Sequence, residues 1–316
     1  MAMKPTRAGD VSAADTHCKF LIQGDSGAGK SRIGASMPKP AILLCEANGL
    51  ATIRRRNPDA MVFLAYDPVQ YGFTSSYEVV AEFMRMAHSG ELKAMGCESV
   101  VADSGTEVQR IIRDQILRER GALGNPAYQF TQPDWGQLTE RMRRFGRSFR
   151  DVPMHALMIT LSMTEKDEDG NVTILPAFEG KKLCNEVTQF FTAAGYAFKR
   201  TRKMSPGDGK PEVDVVSHHV LFQGPSKYLV KPVEPLLNVE EPDAAMWIAK
   251  ITAEPVGPEV AAEAAAQPTE AAAPVTPPDA KPTQPNKPAG STQPVVTTRR
   301  SRGSASAKQQ DIDPTN

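Results

Sequence analysis

Short runs of consecutive apolar residues alternate along this chain with stretches whose apolar side chains recur at helical spacing. CKFLIQ (18–23), AILLCE (41–46), SVVAD (99–103) and MHALMITLSM (154–163) belong to the first kind and predict strands. GKSRIGASM (29–37), SSYEVVAEFMRMAHSG (75–90), TEVQRIIRDQILRER (106–120), DWGQLTERMRRFGRSFRDV (134–152) and KKLCNEVTQFFTAA (181–194) predict helices. Val108, Ile111, Ile112 and Ile116 mark the apolar face of one of them. YAFKR, VSHHVLFQ and KYLVKP then read as strands joined by turns. Strand–helix alternation of this kind implies an α/β fold: a mostly parallel sheet with helices on both faces, followed by C-terminal antiparallel strands.

The pattern stops near residue 252. No aromatic residue follows Trp247, and 252–316 is dominated by Ala, Pro, Thr and Gln. Such a segment buries too little apolar surface to offset the entropy of ordering, so it is expected to be a disordered tail. The expected organisation is a flexible start (1–16), one folded domain (17–251) and the tail. A basic cluster near the end, TTRRSRGSASAK, reads either as a solubilising feature or as a tether for nucleic acid or a partner. VLFQGP (220–225) resembles a picornaviral main-protease cleavage site, but it also fits a strand that ends in a Gly-Pro turn. It is assigned no function.

Charge and cysteines narrow the setting. Lys plus Arg equals Asp plus Glu at 37 each, so any nucleic-acid role needs local basic patches. The four cysteines are scattered without a CxxC pair, a reduced intracellular pattern. The N-terminus lacks the apolar core of a signal peptide, and no apolar run is long enough to span a bilayer. A cytoplasmic protein with no membrane partner is expected.

GDSGAGKS, Gly24 to Ser31, fits G-x-x-x-x-G-K-[ST] between an apolar strand and a helical pattern. In that motif the backbone of Gly24, Asp25, Ser26, Gly27, Ala28 and Gly29 wraps phosphates. Lys30 reaches the β- and γ-phosphates, and the Ser31 hydroxyl ligates Mg²⁺. ATP and Mg²⁺ are the implied cofactors. SVVADS places Asp103 at the carboxyl end of a strand, where a Walker B acid would hold the same metal. Glu46 ends the strand after the phosphate-loop helix. Its position alone leaves two readings open: a strand-end acid in water, or a carboxylate that orients or deprotonates the attacking water.

Together, GDSGAGKS, ILLCEANGL, SVVADSGTEV and ALMITLSM resemble the ATPase core of RecA-like recombinases, and in detail the phage Sak-type single-strand-annealing ATPases. The resemblance covers roughly 18–235 and excludes the tail. It implies a RecA-like P-loop core for 17–251 that hydrolyses ATP, with DNA-stimulated activity expected. Its partners would be single-stranded DNA, further copies of itself in a ring or filament, and a single-strand-binding protein, in the host cytoplasm if the chain is phage-encoded. Glu46 would be the catalytic glutamate, with Lys30, Ser31 and Asp103 in the roles already given. Ser162 stands where these proteins usually carry a glutamine that senses the γ-phosphate. Lys227 and Lys231 match the region that supplies lysines to a neighbouring subunit's nucleotide, although exposed strand lysines would look the same.

DNA-contacting loops in that family correspond to 118–135 and 163–182. The first offers Arg118, Arg120, Tyr128 and Phe130 for phosphate and base contact. The second is acidic at Glu165, Asp167, Glu168 and Asp169, and only Lys181 and Lys182 would attract phosphate. Arg141, Arg143, Arg144, Arg147 and Arg150, on the helix between, form either a solvated face or a basic wall. Other readings are a helicase-loader-like remodelling ATPase, a P-loop small-molecule kinase and a non-catalytic ATP-gated scaffold. Strands after residue 195 argue against the loader, which usually carries a small helical domain. A kinase would need an arginine-rich lid and an acceptor pocket, and a scaffold need not keep Glu46.

Overall fold

A computed structural model describes residues 16–204 and 212–253. The readings for 1–16 and for the tail from 252 lie, apart from their inner edges, outside the described residues. In chain order the strands are β1 (Lys19–Gly24), β2 (Pro40–Leu44), β3 (Met61–Leu64), β4 (Ser99–Asp103), β5 (His155–Lys166), β6 (Val172–Pro176), β7 (Ala193–Met204), β8 (Val213–Leu221) and β9 (Val239–Glu240). The helices are α1 (Lys30–Ala35), α2 (Leu50–Arg56), α3 (Ser76–Ser89), α4 (Glu91–Ala94), α5 (Gly105–Glu119), α6 (Gln132–Asp151), α7 (Lys181–Gln189) and α8 (Ala244–Thr252).

The sheet runs β3-β2-β4-β5-β1-β7-β8-β9, parallel as far as β7 and antiparallel from β7 to β9. β6 pairs antiparallel with the far end of β5. Side chains alternate faces along each strand, so each strand contributes to two cores. Leu21, Leu43, Val100, Ala102 and Met158 pack with α3, α5, α6 and α7. Phe20, Ile22, Ile42, Val101 and Ile159 pack on the opposite face with Ile33 of α1, Ile53 of α2 and Trp247 of α8. This is the expected α/β architecture, and it fits a P-loop nucleotide-binding fold.

Sequence signals explain several boundaries. Ser75 and Glu78 form a capping box that opens α3. Thr131 and Asp134 form another at α6, with Pro133 in the first turn. Asp243 caps α8 by accepting from the N–H groups of Ala245 and Met246.

Other boundaries differ from expectation. The helix expected over 181–194 stops at Gln189, because Ala193–Ala197 pair in parallel with Phe20–Gly24. Tertiary pairing overrides the helical period of Leu183, Val187 and Phe191. KYLVKP is not a strand and makes only two isolated bridges, Ile174 to Tyr228 and Ala194 to Lys231. The stretch 163–182 is mostly not a loop: β5 continues to Lys166 and turns back through β6. The apolar pattern does not mark α2, β3, α4, β6, β9 or α8. VLFQGP continues β8 into a turn, with Val220, Leu221 and Phe222 buried and Phe222 edge-on to Trp247 at 5.0 Å.

Candidate nucleotide-binding site

Every chemical group singled out around the phosphate loop lies at the carboxyl edge of the parallel strands. Gly24 ends β1 opposite Leu161 of β5, and Asp103 ends β4 opposite Leu44 of β2. The loop Asp25–Gly29 then leads into α1. Gly27 and Gly29 hold φ of +78° and +91°, a left-handed backbone that favours glycine. At Gly24 an added Cβ would lie 2.5 Å from the Ala197 carbonyl oxygen of β7, so the loop's first glycine is set by close strand packing.

Lys30 Nζ donates to the carbonyls of Gly24 (2.8 Å) and Asp25 (2.7 Å). Burial pushes its pKa down, while Asp103, Asp25 and Glu46 pull the other way. Burial also pushes the Asp103 carboxyl up, opposed by the Ser31 hydroxyl and the Lys30 ammonium. Asp103 Oδ2 is buried without a hydrogen-bond partner. An oxygen of this kind beside a serine hydroxyl suits a hard divalent cation, which would take its remaining ligands from water and phosphate. The residues therefore fit Mg²⁺, with Ser31 and Asp103 as its protein ligands. They equally fit a triphosphate, cradled by the loop.

Glu46 is exposed, directly after the Cys45 N–H that donates to the Asp103 carbonyl at 2.8 Å. It leads into a tight 3-10 turn, Ala47–Gly49. At Gly49 a Cβ would stand 3.4 Å from Asp103 Oδ2 and 3.6 Å from Ser31 Oγ, so the turn lies against the candidate metal ligands. An open cleft of about 380 Å³ joins these groups, lined by Lys30, Ser31, Glu46, Asn48, Asp103 and Ser104 among others.

Sequence reasoning missed several residues here. Glu107, in the first turn of α5, lies beside Glu46 and pairs with Arg110; burial raises its pKa, Arg110 opposes this, and Glu46 adds to it. His218 of β8 places Nδ1 3.1 Å from the Ala28 carbonyl in the phosphate loop. Tyr196 of β7 donates to Asp25 Oδ2 at 3.5 Å. These residues reach the loop from distant sequence, and no local motif marks them. Ser162, the expected sensor, does border the site: its hydroxyl donates to Asp25 Oδ1.

The expected DNA and trans contacts fare differently. Arg120 Nε donates to Asp134 Oδ1 (3.0 Å), and Tyr128 OH donates to Asp134 Oδ2 (2.8 Å). Phe130 packs edge-on against Trp135 at 4.9 Å, with Arg113 over its ring. Of the four residues in 118–135, Arg118 alone stays on the exposed surface without such an engagement. Lys181 pairs with Glu165 at 3.3 Å, while Lys182 is exposed. Lys231 Nζ donates to the Phe191 carbonyl at 2.6 Å, just past the end of α7, and Lys227 lies over the Tyr228 ring at 5.3 Å. Arg141 binds Glu119, Arg143 binds Glu186, Arg144 binds Glu140 and Arg150 binds Asp151. Arg147 lies over Phe190. The α6 arginines thus form a paired, solvated face.

Phosphate loop, strand-end acid and parallel core define the class: a P-loop nucleotide-binding domain of the ATPase type. Within that class, the chain belongs to the AAA domain family (AAA_24), which matches residues 16–231. No curated protein matches the chain in sequence. Among solved structures, an uncharacterized protein from Pyrococcus horikoshii in complex with an unknown peptide is similar at 12% identity, covering 65% of this chain and 83% of its own, with a TM-score of 0.34. No described helix is long and apolar enough to cross a membrane.

Proposed function

We propose that this chain hydrolyses ATP with Mg²⁺ and uses the cycle in single-stranded DNA annealing or pairing, as a phage-type recombination ATPase working as a ring or filament. The observation that carries the ATPase reading is the exposed Glu46 carboxylate in the same cleft as Lys30, Ser31 and the unpartnered Asp103 Oδ2. The DNA reading rests on the order of motifs it shares with RecA-like recombinases.

In this reading the loop amides and Lys30 hold the β- and γ-phosphates, and Lys30 exchanges its two loop carbonyls for phosphate oxygens. Mg²⁺, when bound by Ser31 and Asp103, neutralises charge on the phosphates. Glu46 takes the proton from, or orients, the water that attacks the γ-phosphorus. Ser162, bonded to Asp25, reports the state of the loop to β5. Contacts with a single-strand-binding protein and with neighbouring copies belong to the same proposal. Among the described residues β7, β8, β9 and the single helix α8 follow α7, which speaks against the small helical domain that a helicase loader usually carries.

The test is the ATPase rate with and without single-stranded DNA, for wild type and Glu46→Gln. DNA should stimulate hydrolysis, and the substitution should lower kcat at least about 100-fold, the usual range for a lost general base. A rate indifferent to DNA would remove the recombination reading. A Glu46→Gln enzyme as fast as wild type would remove the catalytic role.

A further inference from the structure

Four cations crowd the outer half of β7: Lys199, Arg200, Arg202 and Lys203. Unlike the α6 arginines, they are almost without acids. Among the described residues, the side chains of Lys199, Arg200 and Arg202 make no ion pair; Lys199 and Arg202 are exposed, while Arg200 is half-buried, with its Nη1 buried and without a hydrogen-bond partner. Lys203 reaches only Glu212, at 4.0 Å.

Pairing explains why this surface is open. The β1–β7 ladder ends at Gly24 and Ala197. Past that point β7 keeps one neighbour, β8, and the two continue as a ribbon from Phe198 paired with His219 to Met204 paired with Val213. Arg200 and Arg202 share a face with Ser217 and Val215, while Lys199 and Lys203 share the other with His218 and Asp214. Apolar side chains stand among the cations: Met204 is 55% exposed, Val213 50%, Val215 42% and Val216 50%. A surface that offers both cations and apolar seats suits a polymer that presents phosphates and base faces together. A single strand does this, whereas a duplex keeps its base faces stacked inside.

The root of the ribbon touches the phosphate loop twice. His218 Nδ1 lies 3.1 Å from the Ala28 carbonyl, and Tyr196, stacked with Phe198, donates to Asp25. Both strands of the ribbon are therefore seated on the loop that would hold the nucleotide.

We infer that the β7–β8 ribbon is a binding surface for single-stranded DNA, carried by Lys199, Arg200, Arg202 and Lys203 and anchored to the phosphate loop through His218 and Tyr196. This rests on the DNA reading proposed above, and it moves the contact away from 118–135, where Arg120, Tyr128 and Phe130 are engaged within the chain.

The test uses the full chain and a fluorescent oligothymidylate, with anisotropy titrations over a series of salt concentrations. Lys199→Gln/Arg202→Gln/Lys203→Gln is expected to weaken binding about tenfold or more and to make the slope of log K against log salt shallower by about 2, at roughly 0.7 per lost phosphate contact on single strands. Thermal melting checks the fold. If the triple variant does not fold, Arg202→Gln alone should make the slope shallower by about 0.7. Wild-type binding with an unchanged variant overturns this inference and leaves the proposed function standing. No binding by wild type overturns both. A variant whose mass by light scattering changes without DNA would mark the ribbon as a contact between copies instead. A duplex hairpin that competes better than unlabelled single strand also overturns the assignment.

Discussion

Lys19 and Asp103 are ionisable groups carried into the sheet by strands that are otherwise largely apolar, and the fold treats them differently. At the amino edge, the Lys19 ammonium donates to the carbonyls of Val152 (2.5 Å) and Met154. Burial pushes its pKa down from 10.5 to about 8, against the pull of Asp151. Between those two values the unfolded chain holds a proton that the folded chain has released, so this lysine's contribution to stability rises with pH from about 8 to about 10.5. Denaturant titrations at pH 7.5 and 9.5 should show that rise in wild type, and Lys19→Met should lose it. An identical pH dependence in the two proteins would contradict the assignment. Asp103 has no comparable pair of partners at the carboxyl edge, where its Oδ2 is left bare. Lys30, Ser31, Asp103 and Glu46 could be read from sequence because each sits at a fixed offset from an apolar run. Glu107, Tyr196 and His218 could not, since only strand pairing and helix placement bring them to the same edge.

At the scale of elements, α6 shows how a helix can be legible while its purpose is not. Its apolar period predicts it, and the structure adds a Thr131–Asp134 capping box at its start. The sequence does not reveal that the same Asp134, fully buried, also takes Arg120 and Tyr128. These bonds, those from Thr131 first, hold its carboxyl well below the usual carboxylate range. Residues that look like a DNA-binding loop are thereby spent on tying 120–131 to the start of α6. Asp134→Ala should lower the melting temperature by about 5 °C or more and expose 121–131 to proteolysis, because it removes the one buried acceptor shared by Arg120, Tyr128 and Thr131. Tyr128→Phe should cost much less, and equal losses would show that the clasp does not act as a unit. The misjudged end of α7 has the same origin. A helical period continues through Phe191, but the free edge of β1 takes the chain from Ala193 onward. Local periodicity does not register an edge waiting for a partner.

For the whole molecule, the order β3-β2-β4-β5-β1-β7 brings every candidate ligand to one edge, and this much follows from strand–helix alternation. The β5–β6 hairpin does not follow from it, because its pairing is set by a turn that the apolar pattern does not mark, whereas the expected C-terminal antiparallel strands are present as β7, β8 and β9. If the cleft holds nucleotide, Mg²⁺ with ATP at about 100 times Kd should stabilise the folded chain by ~2.7 kcal/mol and raise its melting temperature by roughly 5–10 °C. Lys30→Ala should lose most of that shift, and Asp103→Asn its dependence on Mg²⁺. A full shift in Lys30→Ala would rule out the loop as the site. The central place of β1 also matters for biogenesis. Its first residue bonds Thr192, 173 positions later, and its neighbours are β5 and β7. At about 5–20 residues per second, a ribosome needs about 9–35 s to supply that partner after β1 has been made. Until then the strand that carries the phosphate loop has no partner on its β7 edge. One edge of β1 gains β5 first and the other gains β7 only when nearly the whole domain has been made, so the sheet around the phosphate loop is completed late in synthesis.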